Sequence, residues 1–114
     1  MKKVIIIHGV NPRDKEKLEQ GYPPQNERHW VPWLKQKLED EDYIVYNPLM
    51  PKNWKPSYRE WKRKINEFEI DGETTLVGHS GGAGFFFFFL NETNTKADKL
   101  VLIAPSIIYK ERMG

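Results

Sequence analysis

The chain has 114 residues, a formal net charge of +2 and no cysteine, and this length predicts one domain spanning residues 1–114. The lack of cysteine excludes a disulfide scaffold, a thiolate zinc site and a cysteine nucleophile, and the small charge, spread over alternating basic and acidic residues, argues against a nucleic-acid partner. The hydrophobic runs are too short for a secretory signal or a membrane span, so a cytoplasmic location without a membrane partner is expected.

The first half of the chain contains two predicted strands separated by a long polar segment. Residues 4–7 are all β-branched, which is typical of a strand buried on both faces of a parallel sheet. Residues 11–25 are polar and rich in proline and glycine, so they are predicted to form a loop. Residues 43–46 form a second short strand that ends at Asn47-Pro48.

Two apolar stripes at helical spacing predict two helices in the middle of the chain. The first helix begins near Pro32, because proline is tolerated only in the first helical turn. The side chains that this helix should place in the core are Trp30, Trp33, Leu34 and Leu38. The second helix follows Ser57, which forms a capping box with Glu60, and should end at Asp71-Gly72. Its apolar stripe consists of Tyr58, Trp61, Ile65 and Phe68.

The second half continues the alternation. Residues 74–77 predict a third strand, residues 82–90 a third helix, and residues 100–104 a fourth strand that Pro105 ends, while residues 106–114 have no clear assignment. A strand–helix alternation of this kind predicts an α/β fold, a three-layer sandwich around a parallel sheet. We expect the strand order 2-1-3-4.

The third predicted helix carries five consecutive phenylalanines, residues 85–89. A helix that is apolar all round should be buried all round. Three explanations remain open for this run: an additional covering partner, an exposed apolar patch, or an artefact in the sequence. No function follows from the run itself.

The motif with the clearest chemical meaning lies between the third strand and the third helix. Gly78-His79-Ser80-Gly81-Gly82 is a G-x-S-x-G sequence in the strand-to-helix setting of a nucleophile elbow. The turn is so tight that side chains two positions before and after the serine would clash. The Gly81 N–H would lie at the helix N-terminus, where it can stabilise an oxyanion. The alternative is a glycine-rich turn in an unrelated α/β domain, which could bind phosphate.

The end of the first strand supplies the expected companion of this motif. His8-Gly9 follows the strand directly, and the next residue, Val10, would provide a second oxyanion-hole N–H. Because the carboxyl ends of adjacent parallel strands meet at one edge of the sheet, Ser80 should lie beside this turn. His8 and His79 are expected to pack or hydrogen-bond rather than act as bases, and His29 should be at the surface.

The remaining parts of a catalytic triad are missing from the sequence. No histidine follows Ser80, although the usual order from this motif is serine, acid, histidine. The acids after Ser80 are Glu92 and Asp98, both expected far from the catalytic edge, and Glu111 in the unassigned tail. Scattered histidines do not predict a metal site, and none is proposed.

Several segments together resemble the small α/β-hydrolases, in particular the serine hydrolases of the retinoblastoma-binding-protein-nine and YdeN type. The segments that carry the resemblance are Val4-Ile-Ile-Ile-His-Gly9, His29-Trp-Val-Pro-Trp-Leu34, Trp54 with Trp61, Val77-Gly-His-Ser-Gly81 and Leu100-Val-Leu-Ile-Ala-Pro105. The Trp-x-Pro-Trp sequence is the most specific of them. The resemblance covers about residues 3 to 106.

The resemblance implies a cofactor-free serine hydrolase whose partner is a small-molecule ester or related acyl substrate. Ser80 would be the nucleophile, with Gly81 and Val10 as oxyanion donors, and residues 11–25 would lie over the active-site mouth. Family members continue past the Ala-Pro strand, where later strands carry the catalytic Asp and His. The chain is therefore expected to represent the N-terminal portion of a truncated α/β-hydrolase fold.

Two other functions fit the same residues. The chain could be a catalytically inactive binding or interaction protein that keeps the hydrolase scaffold, with self-association through the unpaired edge of residues 100–104. It could also be an enzyme only by assembly, with a second chain supplying the acid and the histidine. Trp54 follows the second strand near the catalytic edge, so it could line a substrate pocket or anchor the loop.

Overall fold

The computed structural model describes residues 2–104, so Pro105, Glu111 and the unassigned tail lie outside the described part of the chain. Four strands form one all-parallel sheet: β1 (Lys3–Ile7), β2 (Ile44–Tyr46), β3 (Thr74–His79) and β4 (Lys99–Ile103). Their order is β2-β1-β3-β4, which confirms the predicted order 2-1-3-4 and the α/β class.

The register of the sheet brings two chemically important turns to the same edge. Ile7 of β1 pairs with Gly78 of β3, and His79 pairs with Ile103 of β4. The carboxyl ends of β1, β3 and β4 therefore finish side by side. This is the edge at which parallel α/β sheets bind ligands.

Helices cover both faces of the sheet, because alternate residues of a strand point to opposite sides. On one face α3 (Tyr58–Ile65) and α4 (Gly81–Thr93) bury a cluster with the sheet. Its members are Ile5, Ile7, Met50, Trp61, Ile65, Leu76, Phe85, Phe86 and Phe89. On the other face α2 (Val31–Asp40) completes a smaller cluster. That cluster consists of Val4, Ile6, Val31, Val45 and Val77.

The prediction that residues 11–25 form a loop was wrong. They contain α1 (Asp14–Glu19), and a short 3-10 helix, Gln25–Glu27, begins at their end. The Asp14 N–H donates to the carbonyl of Asn11 at 3.0 Å, which starts the turn of α1. Composition alone misses α1 because it is short, charged and held by tertiary contacts of its first residue.

Trp33 is not in the core, contrary to the prediction. Its side chain is 63% exposed, and the Lys37 ammonium lies over its ring at 5.8 Å. Val31 and Leu34 face the sheet instead, and a residue one step before Leu34 points about 100° away from it around an α-helix. The three other predicted residues of this stripe, Trp30, Leu34 and Leu38, are partly buried as expected.

The second predicted helix ends earlier than Asp71-Gly72. The helix stops at Ile65 and Asn66 caps it, while the Ser57 hydroxyl accepts from the Glu60 N–H as the capping box predicts. After the helix the chain turns, and Phe68 packs its ring 5.2 Å from that of Tyr46 at the sheet.

The phenylalanine helix is not buried all round, as the sequence had suggested it should be. Phe85, Phe86 and Phe89 are buried, whereas Phe87 is 58% exposed. Beside α4, strand β4 pairs only with β3 among residues 2–104, and its residues Leu100 and Val101 are 36% and 43% exposed. The run is therefore partly exposed within residues 2–104, an observation that does not choose among the three explanations.

No helix within residues 2–104 combines the length and the apolar character needed to cross a bilayer.

Candidate active site

Ser80 occupies a sharp turn between β3 and α4. Its backbone has φ 52° and ψ −115°, a conformation that L-residues rarely adopt. The turn is held on both sides, because the Ser80 N–H donates to the Ile103 carbonyl at 2.8 Å and the Ser80 carbonyl accepts from Ala83 at 3.1 Å. The serine side chain is half-buried, and its hydroxyl makes no hydrogen bond to any residue of the range 2–104.

The glycines that flank Ser80 are required by close packing. A Cβ on Gly82 would lie 2.5 Å from the His8 carbonyl oxygen, and one on Gly78 would lie 2.7 Å from the Ala83 Cα. Real Cβ atoms do not approach backbone this closely, so neither position can hold a larger residue without a shift of the main chain. The predicted clash at two positions on either side of the serine is therefore present in the structure.

The turn after β1 lies directly against the serine turn. A Cβ on Gly9 would be 3.3 Å from the Ser80 Cβ, and one on Gly81 would be 2.8 Å from a methyl group of Val10. The backbone N–H groups of Val10 and Gly81 donate to no acceptor in the described part of the chain. The structure thus brings together Ser80, Gly81, Gly9 and Val10, as expected from the strand order.

His8 is buried and fully engaged, which agrees with its expected packing role. The Met50 N–H donates to its Nε2 at 2.9 Å, so that nitrogen is unprotonated. The proton therefore sits on Nδ1, which lies 2.7 Å from the Gly9 carbonyl and donates to it. Burial lowers the pKa of His8 below its ordinary value, more than the bond to Gly9 raises it. A neutral ring with both nitrogens occupied cannot take a proton from Ser80.

The other two histidines also fail to reach the serine hydroxyl. The His79 ring lies edge-on to Trp30 with centroids 5.6 Å apart, on the α2 side of the sheet. Partial burial, and then the neighbouring charge of His29, lower the pKa of His79. His29 is exposed, as predicted, and has a positive φ of 57°. No base therefore pairs with Ser80 among the described residues.

The acids that follow Ser80 are engaged elsewhere or lie outside the described residues. Glu92, near the end of α4, accepts a hydrogen bond from Tyr58 and pairs with Lys62 at 3.0 Å. Asp98 precedes β4 and is exposed, at the opposite end of the strand from Ser80. Both placements agree with the expectation that these residues lie far from the catalytic edge, and Glu111 is not described.

Sequence reasoning missed a buried polar cluster that lies next to the turn after β1. Its centre is the Asp14 carboxylate, which is fully buried and accepts hydrogen bonds from the side chains of Gln25 at 3.2 Å, Asn53 at 2.8 Å and Arg28. Burial raises the pKa of Asp14, but these three donors outweigh it and hold the pKa below its ordinary value. A charged carboxylate is therefore kept inside the protein.

The signal for this cluster in the sequence is weak. Asp14 and Gln25 stand in the segment 11–25 whose composition indicates a loop, Arg28 follows that segment, and Asn53 belongs to a different connection. Trp54, the predicted pocket residue, follows Asn53 and is half-buried. No group of three or more His, Asp or Glu side chains arranged to bind a metal occurs within residues 2–104.

Comparisons with known proteins place the chain in a family and in a fold. A family model described as serine hydrolase matches residues 18–113, which includes Ser80 and its flanking glycines. Among solved structures, the chain is similar to the ydeN gene product from B. subtilis, with 24% sequence identity and a TM-score of 0.72. This likeness covers 90% of the chain and 50% of the YdeN chain. The chain thus spans about half the length of that relative, and comparison with curated proteins gives no match.

The two comparisons carry different weight. At 24% identity, the likeness to YdeN shows a shared α/β fold and nothing more specific. The family model, in contrast, covers most of the chain and includes its strand-to-helix serine turn. The chain therefore belongs to the serine hydrolase family.

Proposed function

We propose that the chain provides the nucleophile and the oxyanion hole of a serine hydrolase that acts on an ester or related acyl substrate. The observation that carries this proposal is the backbone of Ser80, held at φ 52° and ψ −115° between β3 and α4. Strain of this kind persists only where the surrounding structure enforces it, and it is concentrated at functional sites. The packing of Gly78 and Gly82 supplies that enforcement.

The proposed chemistry is acyl transfer. The Ser80 Oγ attacks the acyl carbon and gives up its proton to the general base, while the C=O π electrons move to the oxygen of the tetrahedral intermediate. This intermediate collapses with cleavage of the ester C–O bond, and the leaving alcohol takes up the proton. Water then hydrolyses the acyl-serine in the same two stages, which releases the carboxylic acid and restores Ser80. The unoccupied N–H groups of Val10 and Gly81 are adjacent and would donate to the oxygen of the tetrahedral intermediate. Preorganised donors of this kind are worth about 10²–10³ in rate each. Trp54 is proposed to line the acyl pocket, since it lies in the β2–α3 connection near this edge.

We expect the general base to come from a polypeptide segment other than these 114 residues. His8 has both ring nitrogens occupied, His79 packs against Trp30, and no histidine follows Ser80. A serine without a base is a weak nucleophile. We propose that an acid and a histidine from further polypeptide complete the site. The isolated chain would then retain only the residual catalysis of its oxyanion hole, on the order of 10³–10⁴ over water, as in serine proteases whose triad has been removed.

The test is covalent labelling of the folded 114-residue chain with a fluorophosphonate, followed by intact mass. We expect slow addition of one probe per chain, faster when imidazole is added as an external base, and absent in Ser80→Ala. Imidazole should help because it can accept the Ser80 proton, which is the role proposed for the absent histidine.

The controls separate a failed site from a failed fold. Circular dichroism of both proteins checks that they are folded, and Ser57→Ala removes a serine that caps α3 and lies outside the site. A folded protein that gains no Ser80-dependent adduct, even with imidazole at high concentration, would show that this turn is structural only.

A second candidate function is an interaction protein that keeps the hydrolase scaffold. The observation in its favour is β4, an edge strand in the described sheet whose residues Leu100 and Val101 are more than one-third exposed. Exposed apolar edges recruit other strands, so we propose that two copies pair through residues 99–103. Light scattering should then give a dimer mass that Val101→Lys reduces to the monomer, and a monomer at high concentration would exclude this pairing.

A further inference from the structure

Two connections meet at the turn that carries the Val10 N–H. One follows β1 and continues into α1, and the other joins β2 to α3. They are joined by side chains that are almost completely buried: His8 is 2% exposed, Asn53 is 2% exposed and Asp14 is 0% exposed. Polar groups buried to this extent fix the backbone to which they are bonded, because a buried donor or acceptor left unpaired loses its hydration without compensation.

Asn53 forms a bridge between the turn and the buried carboxylate. Its Oδ1 accepts from the Asn11 backbone N–H at 3.2 Å, and its Nδ2 donates to Asp14 Oδ2 at 2.8 Å. Asn11 is the residue immediately after Val10. The bridge therefore restrains the peptide next to the one whose N–H is a proposed oxyanion donor.

Asp14 makes the bridge rigid. Its other oxygen is bound by Gln25 and Arg28, so the carboxylate has donors on both oxygens and stays charged. The opposite side of the same turn is held by His8, which donates to the Gly9 carbonyl and accepts from the Met50 N–H. The residues on both sides of Val10 are thus tied to the β2–α3 connection, while the Val10 N–H itself donates to no acceptor within residues 2–104.

We propose that Asn53, oriented by Asp14, is a positioning residue that aims the Val10 N–H at the oxyanion. This inference rests on the proposed function for its chemical consequence, although the restraint on the backbone is independent of it. Among the described residues, Asn53 makes its side-chain hydrogen bonds to Asn11 and Asp14, not to Ser80 or to the proposed N–H donors. It acts through the Asn11 peptide.

The expected effect is on reaction rate as well as on stability. Loss of one oxyanion donor lowers rates by about 10²–10³, and a displaced donor should lose part of that. Asn53→Ala is therefore expected to slow fluorophosphonate labelling of Ser80 about 10- to 100-fold. The matched control is Gln25→Ala, which removes an amide donor from the same carboxylate but makes no hydrogen bond to the turn.

The experiment measures backbone ¹⁵N order parameters and labelling rates, with imidazole present, in the wild-type chain and the two variants. We expect the order parameter of Val10 to be about 0.85 in the wild type and to fall towards 0.6 in Asn53→Ala, and to change little in Gln25→Ala. Both variants should lose stability. A difference between them in the Val10 order parameter or in the labelling rate would therefore reflect the bond that Asn53 makes to the turn, and not the loss of stability. Asn53→Ser replaces it if Asn53→Ala does not fold. The shorter serine side chain keeps one polar oxygen but cannot reach both the Asn11 N–H and the Asp14 carboxylate.

Equal order parameters and labelling rates in the two variants would overturn the positioning role. A wild-type chain that does not label would overturn the proposed function instead, and the order parameter of Val10 would still decide whether Asn53 holds the turn. Failure of the positioning role and failure of the nucleophile assignment are thus distinguished by separate measurements on the same samples.

Discussion

Strands β1 and β4 have almost the same composition and very different surroundings. β1 has the sequence Lys-Val-Ile-Ile-Ile and β4 has Lys-Leu-Val-Leu-Ile. Val4 and Ile5 are 2% and 0% exposed, whereas Leu100 and Val101 are 36% and 43% exposed. The difference comes from position, because β1 lies between two strands and two helical layers while β4 has β3 on one side only within the described residues.

This contrast also separates the two functional proposals. The enclosed strand leads into His8, Gly9 and Val10, where packing and buried hydrogen bonds hold the turn for which we propose an oxyanion role. The open strand offers unpaired backbone and apolar side chains, which suits association with another polypeptide.

The largest expected effect comes from truncating matched side chains on the two strands. Ile5→Ala should lower the free energy of unfolding by about 2–5 kcal/mol, because it leaves a cavity in a closed core. Leu100→Ala should lower it by about 1 kcal/mol or less, since a side chain already in contact with water loses little buried apolar area. Urea denaturation of both variants measures this difference, and equal losses would show that β4 is covered in solution.

A smaller effect is expected at the strained serine. Ser80→Gly should raise the free energy of unfolding by about 1 kcal/mol, because glycine adopts a positive φ without the strain that other residues store there. Ser80→Ala keeps the Cβ and should leave stability close to that of the wild type. Thermal unfolding of the three proteins gives the comparison, and a glycine variant no more stable than the alanine variant would show that the turn is unstrained.

The smallest effect is the pH dependence of the free energy of unfolding that comes from His8, the residue directly after β1. Burial lowers the pKa of His8 in the folded protein, so below the ordinary pKa of about 6.5 the unfolded chain binds a proton that the folded protein does not. The stability that His8 provides is therefore present above about pH 6.5 and declines as the pH falls from there towards the folded pKa. The slope of this decline is at most about 1.4 kcal/mol per pH unit.

His8→Gln removes this titration while offering an oxygen to the Met50 N–H. Its unfolding free energy, measured by urea denaturation at several pH values, should fall less between about pH 7 and pH 5 than that of the wild type, since this interval spans the ordinary histidine pKa. His79 and His29 remain in both proteins, so the difference isolates His8. Parallel curves for the two proteins would contradict a lowered pKa at this position.

The elements that the sequence predicted well are those whose signal is local. The β-branched run of β1, the Ser57 cap of α3 and the glycines around Ser80 each reflect a constraint within a few residues. The elements that it missed depend on distant partners. Asp14 is bound by residues 11, 14 and 39 positions away, so neither α1 nor the buried cluster could be recognised from composition, and the exposure of Trp33 depended on how α2 turns towards the sheet.

By itself, the sequence determined the alternation of strands and helices and the serine turn, because periodicity and glycine spacing are properties of adjacent residues. The sheet order 2-1-3-4 was an expectation for a parallel sheet with right-handed crossovers, which the structure confirmed. The edge position of β4 already follows from the predicted strand order, but only the tertiary structure decided how far Leu100 and Val101 are exposed within residues 2–104, since burial depends on neighbours. It also decided which groups His8 bonds, the Met50 N–H and the Gly9 carbonyl, and that Asn53 joins the turn after β1 to Asp14. Those roles arise from hydrogen bonds that span 42 and 39 residues, which no local pattern records.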